Sequence, residues 1–299
     1  MYKTVLTTDN TIEDVSSELK NVVERTYCNY CKGEIKNFVR KKKSKNEQIC
    51  SSCDFILKNS DYLVFNLHPE LNTSDIEAVK LLELKLNAII PILKIDSLKD
   101  ISSKKFGVVI QDNKVIGLFL DNMDLLVYPD EINYFSNLRF LSLINVKLTK
   151  IPETIRELSK LEVLNIRNNN IEFLPESLTQ LTKLKIIDMG QNQIRLLPDN
   201  FGDLQALSFL NLENNLLYCL PKTFKSLKKL KILNVFDNQI KFDLVVDILP
   251  KNLLNCGIGG NCLSNRSLKS LSRFFKKRCA VHTQRQSWLK NEFKQLYGL

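Results

Sequence analysis

Residues 161–175 read LEVLNIRNNNIEFLP. Leu161, Leu164, Ile166, Asn169, Ile171 and Leu174 are spaced 3, 2, 3, 2 and 3 apart, and Pro175 follows. A surface helix repeats its apolar residues at three and four, and a half-buried strand repeats them at two. The mixture predicts a short strand that turns at once into something else. Leu164 and Ile166, two apart, share one face of that strand. Asn169 points inward, where its amide can bond backbone groups of neighbouring turns. Ile171 and Leu174 re-enter the core, Pro175 bends the chain, and Leu178 and Leu181 close a short helical return.

The same pattern recurs every 23 residues. LRFLSLINVKLTKIP begins at 138, LKIIDMGQNQIRLLP at 184, LSFLNLENNLLYCLP at 207 and LKILNVFDNQIKFDL at 230. VIGLFLDNMDLLVYP at 115 and LLNCGIGGNCL at 253 extend the series outward. A fixed period of this length marks a solenoid, because one unit cannot bury its own apolar edge and a stack can. The inward asparagine is Met123 in the first unit and Val146 in the second, so a ladder of bonded asparagines is expected to begin at Asn169. The sixth unit has Asp243 and Leu244 in place of Leu-Pro, which predicts an irregular or more helical return there.

These residues resemble the leucine-rich repeat pattern L-x-x-L-x-L-x-x-N-x-L-x-x-L-P in its intracellular 23-residue class. The resemblance implies an α/β solenoid: a horseshoe of about seven repeats with a concave parallel sheet. It does not by itself imply a ligand.

Register then assigns the outward columns of that sheet. Phe140, Val163, Ile186, Phe209 and Ile232 fill the third position of successive repeats. Phe119 stands in the fifth position of the first repeat, and Ile144, Arg167, Glu213 and Phe236 occupy the seventh column. Outward phenylalanines have no leucine core to enter, so an exposed apolar column beside Arg167 and Glu213 is expected. Aromatic and arginine side chains on a rigid surface suit a protein partner.

Ahead of the repeats, SDIEAVKLLELKLNAII (74–90) opens with Ser74 and Glu77 at capping-box spacing, and Ile76, Val79, Leu82, Leu86 and Ile89 follow at helical spacing. FGVVIQDNKVIGLFL (106–120) reads as two strands around a turn, the second being the first repeat strand. Helix and hairpin together predict an N-terminal cap. The expected organisation is a helical lead-in over 1–24, a cysteine module over 25–58, and linker plus cap over 59–114, with a helix at about 74–90 and a strand at about 106–110. The repeats follow over 115–275, and a C-terminal helical cap over 276–299.

Residues 27–54, YCNYCKGEIKNFVRKKKSKNEQICSSCD, hold two C-x2-C pairs, Cys28 with Cys31 and Cys50 with Cys53. Two tight turns that each offer two thiolates complete a tetrahedron around Zn2+. The pattern resembles zinc ribbons. With four thiolate ligands no coordination site is left for a catalytic water, so one structural Zn2+ per chain is expected. Four cysteines are too few for a RING-like cross-brace, which needs two zinc sites, and this weighs against a ubiquitin-ligase-like adaptor.

The net charge of +10 is concentrated at the ends, +6 over 20–58 and +8 over 266–299. Arg40, Lys41, Lys42, Lys43 and Lys45 lie between the cysteine pairs, near Tyr27, Tyr30 and Phe38. Basic residues beside aromatics can hold nucleic-acid phosphates and bases, or another polyanion. The basic C-terminal segment can cap the last repeat or meet a membrane surface. No signal peptide or transmembrane run is evident, and eight cysteines, four of them at paired metal spacing, suit a reducing cytoplasm rather than a disulfide framework. Two histidines and scattered thiols are a poor set for catalysis. The expectation is a non-enzymatic scaffold that holds a protein on the concave face, with a nucleic-acid-associated adaptor as the alternative.

Overall fold

The computed structural model describes residues 38–40, 48–50, 71–88, 90–93, 106–241, 246–262, 264–275 and 279–283. The chain divides into two units, one of residues 1–70 and 79–89, the other of 71–78 and 90–299.

In the first unit β1 (Phe38–Arg40) and β2 (Gln48–Cys50) pair antiparallel, with Phe38 opposite Cys50 and Arg40 opposite Gln48. The helix α1 (Thr73–Leu86) begins in the second unit and ends in the first. Its start differs from the capping box expected at Ser74. Asn72 is the cap: its Oδ1 accepts from the Asp75 amide at 3.0 Å and from the Ser74 hydroxyl at 2.6 Å. An asparagine just before the first helical residue reaches the orphan amide three positions on, which Ser74 inside the helix cannot do. The helix stops at Leu86 because Asn87 takes a left-handed φ of 50°. Asp75 is fully buried, and its Oδ2 accepts from the Val115 amide at 2.8 Å, which ties the first turn to the first repeat strand. Burial pushes its carboxyl above the ordinary value, while the Val115 amide, Asn72 and Lys114 pull it down.

The second unit is built on a nine-stranded sheet, with strands in chain order from β3 to β11. The strand β3 (Phe106–Gln111) runs antiparallel to β4 (Lys114–Leu120), as the hairpin reading expects. From β4 every pairing is parallel: β5 (Phe140–Ser142), β6 (Val163–Asn165), β7 (Ile186–Asp188), β8 (Phe209–Asn211), β9 (Ile232–Asn234) and β10 (Asn255–Gly257). Paired residues stand one repeat apart, Leu141 against Leu164, Ile187, Leu210 and Leu233 in turn. These side chains are buried on the core side, as are Leu143, Ile166, Met189, Leu212 and Val235 two positions on.

The returns are 3-10 turns: Asp130–Tyr134, Glu153–Glu157, Glu176–Gln180, Asp199–Asp203 and Lys222–Ser226. Each follows a proline, whose fixed φ presets the turn and whose missing N–H would have no partner there. Where Leu-Pro is lost, the described part of the return is the 3-10 turn Val246–Ile248, and residues 242–245 lie outside the described residues.

At the far end α2 (Asn265–Phe275) replaces the 3-10 turn, and β11 (Ala280–His282) adds a further parallel strand. The sequence predicts a helical cap over 276–299; at 280–282 the chain is a strand instead, and 276–278 and 284–299 lie outside the described residues. Asn255 pairs with Ala280, so the interval has stretched from 23 to 25 residues. A full α-helix uses more chain than a 3-10 turn, and a search at fixed period steps past the strand.

The asparagine ladder begins at Asn169, as expected. The Asn169 Nδ2 donates to the Leu143 and Ile166 carbonyls at 2.8 and 2.9 Å, and its Oδ1 accepts from the Val146 and Leu148 amides at 3.1 and 3.0 Å. Asn192, Asn215, Asn238 and Asn261 repeat the arrangement one turn on each time. Asn215 also accepts from the Ile194 amide at 3.0 Å. Replacing Asn215 by alanine is expected to cost about 2 kcal/mol, because that buried amide loses its acceptor. Urea unfolding against the parent chain measures it; a loss near zero would mean that the ladder carries no stability.

Candidate functional site

The sheet face opposite the leucine core carries the residues singled out above. Its third column is not exposed. Phe140, Val163, Ile186, Phe209 and Ile232 form one buried cluster with Phe119, and Leu93, Val109 and Ile116 pack against it. Phe209 is 0% and Phe236 3% accessible. The expectation of a free apolar column, with Phe119, Phe140, Val163, Ile186, Phe209, Ile232 and Phe236 presented to a partner, is therefore corrected. Strands so close in register stack these side chains against one another, and the row becomes a second apolar layer. Of the ten residues proposed on this face, Ile144, Arg167 and Glu213 keep partial exposure.

Beside that layer runs a polar column, Ser142, Asn165, Asp188, Asn211 and Asn234, all buried. Its chemistry is local. The Asn165 Oδ1 accepts from the Arg167 amide at 3.1 Å, Asp188 from Gly190 at 3.0 Å, Asn211 from Glu213 at 3.1 Å and Asn234 from Phe236 at 3.2 Å. Each is a side-chain turn that satisfies the amide two residues on, where the strand has ended and the ladder supplies no acceptor. Between repeats the Asn211 Nδ2 donates to Asp188 at 2.9 Å, and the Asn234 Nδ2 donates to Asn211 at 2.9 Å. The sequence reading did not anticipate these bonds. The signal was present as Asn or Asp two residues before Arg167, Gly190, Glu213 and Phe236.

Arg167 and Glu213, two repeats apart, meet directly. The Arg167 Nη2 donates to the Glu213 Oε1, and its Nη1 lies 3.7 Å from the Asp188 Oδ1. The Glu213 Oε2 also accepts from the Asn234 Nδ2 at 2.9 Å. Gly190 makes the span possible. A Cβ there would lie 2.8 Å from the Arg167 Nη1 and 3.1 Å from the Glu213 Cγ. Burial works to lower the pKa of Arg167, but Asp188 and Glu213 outweigh it and raise the pKa. Burial pushes the Asp188 carboxyl above its ordinary value, and Arg167 opposes that shift. The result is a fixed cluster of one guanidinium and two carboxylates, part open to solvent.

An amide row borders the cluster. Asn122, Asn145, Asn168, Gln191, Asn214 and Asp237 all adopt left-handed φ between 50° and 63°, and Gly260 closes the row at 68°. Asparagine and aspartate tolerate this conformation better than other side chains with a Cβ. The Asn145 Nδ2 donates to the Asn122 Oδ1 and the Asn168 Nδ2 to the Asn145 Oδ1, both at 3.0 Å.

The remaining expected sites fall on the first unit. Arg40 ends β1 opposite Gln48, and Cys50 ends β2 opposite Phe38. Cys28, Cys31 and Cys53, with Lys41, Lys42, Lys43 and Lys45, lie outside the described residues. The donor set suits Zn2+, since four thiolates at C-x2-C spacing neutralise and enclose it. In the repeats Cys256 is fully buried, and burial raises its thiol pKa well above the usual value. Burial pushes the Cys279 thiol up to about 12. Neither is poised to react as a thiolate.

A family model described as "Leucine-rich repeat region" matches residues 122–291. No curated protein sequence matches the chain. Among solved structures, a leucine-rich repeat protein of Leptospira interrogans is similar over 67% of this chain and 50% of its own, with 22% identity and a TM-score of 0.42. An internalin of Listeria monocytogenes is similar over 73% of this chain and 58% of its own, with 17% identity and a TM-score of 0.46. The ectodomain of a plant membrane receptor kinase from Arabidopsis thaliana, solved in complex with Casparian strip integrity factor 2, is similar over 46% of this chain and 17% of its own, with 27% identity and a TM-score of 0.40. The chain thus spans half the length of the Leptospira protein and less than a fifth of the plant ectodomain. No helix among the described residues is long and apolar enough to cross a membrane.

Proposed function

We propose, from the premise that this chain belongs to the leucine-rich repeat region family, that it is a non-enzymatic scaffold gripping a protein partner on the outward face of its parallel sheet. Leucine-rich repeat folds are generally interaction modules without catalysis. One observation carries the finer reading. Arg167, Asp188 and Glu213 are locked together across three repeats at the edge of a buried apolar layer. A charge cluster already fixed by its neighbours loses little entropy when a partner docks, so it can set the partner's orientation. The contact surface is Ile144, Arg167, Glu213 and the bordering amides, and the buried phenylalanines support it from behind. Cys28, Cys31, Cys50 and Cys53 hold one structural Zn2+, and that module supplies a second contact.

The test is capture of partner proteins from the source cell by the full chain. The double variant Arg167→Gln with Glu213→Gln keeps the polar surface and removes its two partly exposed charges, leaving the buried Asp188 in place. It is expected to lose at least about 90% of specific capture with an unchanged circular dichroism spectrum. Changing Lys41, Lys42 and Lys43 to Ser is expected to leave specific capture in place. If the lysine variant lost capture and the charge-removal variant kept it, the nucleic-acid-associated reading would replace the scaffold.

A further inference from the structure

The edge of the solenoid where the chain leaves its 3-10 turns and enters the strands changes character along its length. In the early repeats some of its charges are paired, although Lys160 and Lys183, in the repeat position of Lys229, are exposed and in no ion pair among the described residues. The Glu162 Oε1 accepts from the Arg139 Nε at 2.8 Å and its Oε2 from the Lys185 Nζ at 2.6 Å, so one acid bridges two repeats. From residue 225 onward the pairing stops. Lys225, Lys228, Lys229, Lys231 and Lys251 are exposed, and none takes part in an ion pair among the described residues.

Register shows how they stand. Lys228 and Lys251 occupy the same position in successive repeats. Gln205, one repeat before Lys228, offers no charge. Lys231 has Ser208 on one side and Leu254 on the other: the Lys231 amide donates to the Ser208 carbonyl and the Leu254 amide to the Lys231 carbonyl. Leu254 is 52% exposed, a leucine held in solvent next to Lys231 in register.

We propose that this edge docks on an anionic lipid bilayer. The choice of partner follows from the chemistry present. Several lysines along one edge are each attracted to an anionic leaflet. An exposed leucine among them can insert below the headgroups, and the lysine stems can lie along the surface with their ammonium groups at phosphate level. Single-stranded nucleic acid would call for aromatic side chains on which bases stack. This part of the edge carries leucine in that place. The inference uses none of the residues assigned to the protein partner, so either reading can fail alone.

The test is co-sedimentation of the full chain with vesicles of phosphatidylcholine containing 30% phosphatidylserine, about 0.1 M salt, against vesicles of phosphatidylcholine only. Binding to the anionic vesicles alone is expected, falling as salt rises. The triple variant Lys228→Ser, Lys229→Ser, Lys231→Ser is expected to bind about a hundredfold more weakly, since each lysine near the surface contributes roughly a factor of five. Leu254→Ser is expected to weaken binding several-fold at every salt concentration. Thermal melts of both variants are expected to match the parent, because the changes are at the surface. Parent binding no better than to phosphatidylcholine alone would overturn the proposal, and so would equal binding by the triple variant. Retention on poly(U) RNA that is lost with the three lysines, without any vesicle binding, would assign the edge to nucleic acid instead.

Discussion

Leu210→Ala is expected to lower the unfolding free energy by about 2–5 kcal/mol. Leu210 is fully buried at the centre of β8, with Ile187 and Leu233 beside it in register on the neighbouring strands. Removing its outer carbons forfeits their transfer from water, and the space left behind is walled by strands pinned through their own hydrogen bonds, so it closes only in part. In a solenoid each repeat is stabilised by the interfaces on both of its sides, and Leu210 contributes to two of them. The loss therefore falls on the middle of the stack, where repeats on both sides depend on it. Urea unfolding followed by circular dichroism should show an earlier midpoint with an unchanged slope. A loss below about 1 kcal/mol would mean that residue 210 does not face the core. Asn211, next in sequence on the opposite face, should cost less when truncated, but more than an outward residue ordinarily would. It is fully buried and links Asp188, the Glu213 amide and Asn234.

That contrast marks how far the sequence reaches. The period, the core-facing positions and the onset of the ladder at Asn169 follow from spacing alone, because a stack of identical turns must put equivalent residues in equivalent places. The burial of Phe140, Phe209 and Phe236 does not follow. Spacing says which side of the strand a residue takes, and it is silent on whether that side is open. The bonds of Asn165, Asp188, Asn211 and Asn234 to the amide two residues on were legible in principle, since these residue types favour such turns. They were obscured because the same column also reads as an ordinary polar surface. Gly190 is a clearer instance. As a glycine in an outward column it looks like a gap, and only the crossing of Arg167 to Glu213 gives it a role. The strand Ala280–His282 was missed because α2 lengthened the final repeat by two residues, and Asn72 because Ser74 offered a more familiar capping pattern.

Removing zinc is expected to unfold the cysteine module while the repeats stay folded. The argument rests on what else could hold β1 and β2 together. Each is three residues long. A lone two-stranded hairpin is marginal in water at best, and a segment of about 35 residues buries too little apolar surface to fold unaided. Four thiolates closing on Zn2+ supply on the order of 10–16 kcal/mol at neutral pH, which is folding free energy because no site is preformed in the unfolded chain. The repeats draw their stability from leucine layers and asparagine bonds that contain no metal ligand. Elemental analysis of the chain, purified under reducing conditions, is therefore expected to find one zinc per chain, and Cys28→Ser with Cys31→Ser to abolish it. After treatment with a strong chelator, amide exchange in the segments Phe38–Arg40 and Gln48–Cys50 should accelerate at least about a thousandfold, with Leu164, Ile187 and Leu210 still protected. Zinc absent from the reduced protein, or hairpin amides that stay protected without it, would mean that the module folds by other means. Loss of protection at Leu210 on chelation would mean that the repeats depend on the metal as well.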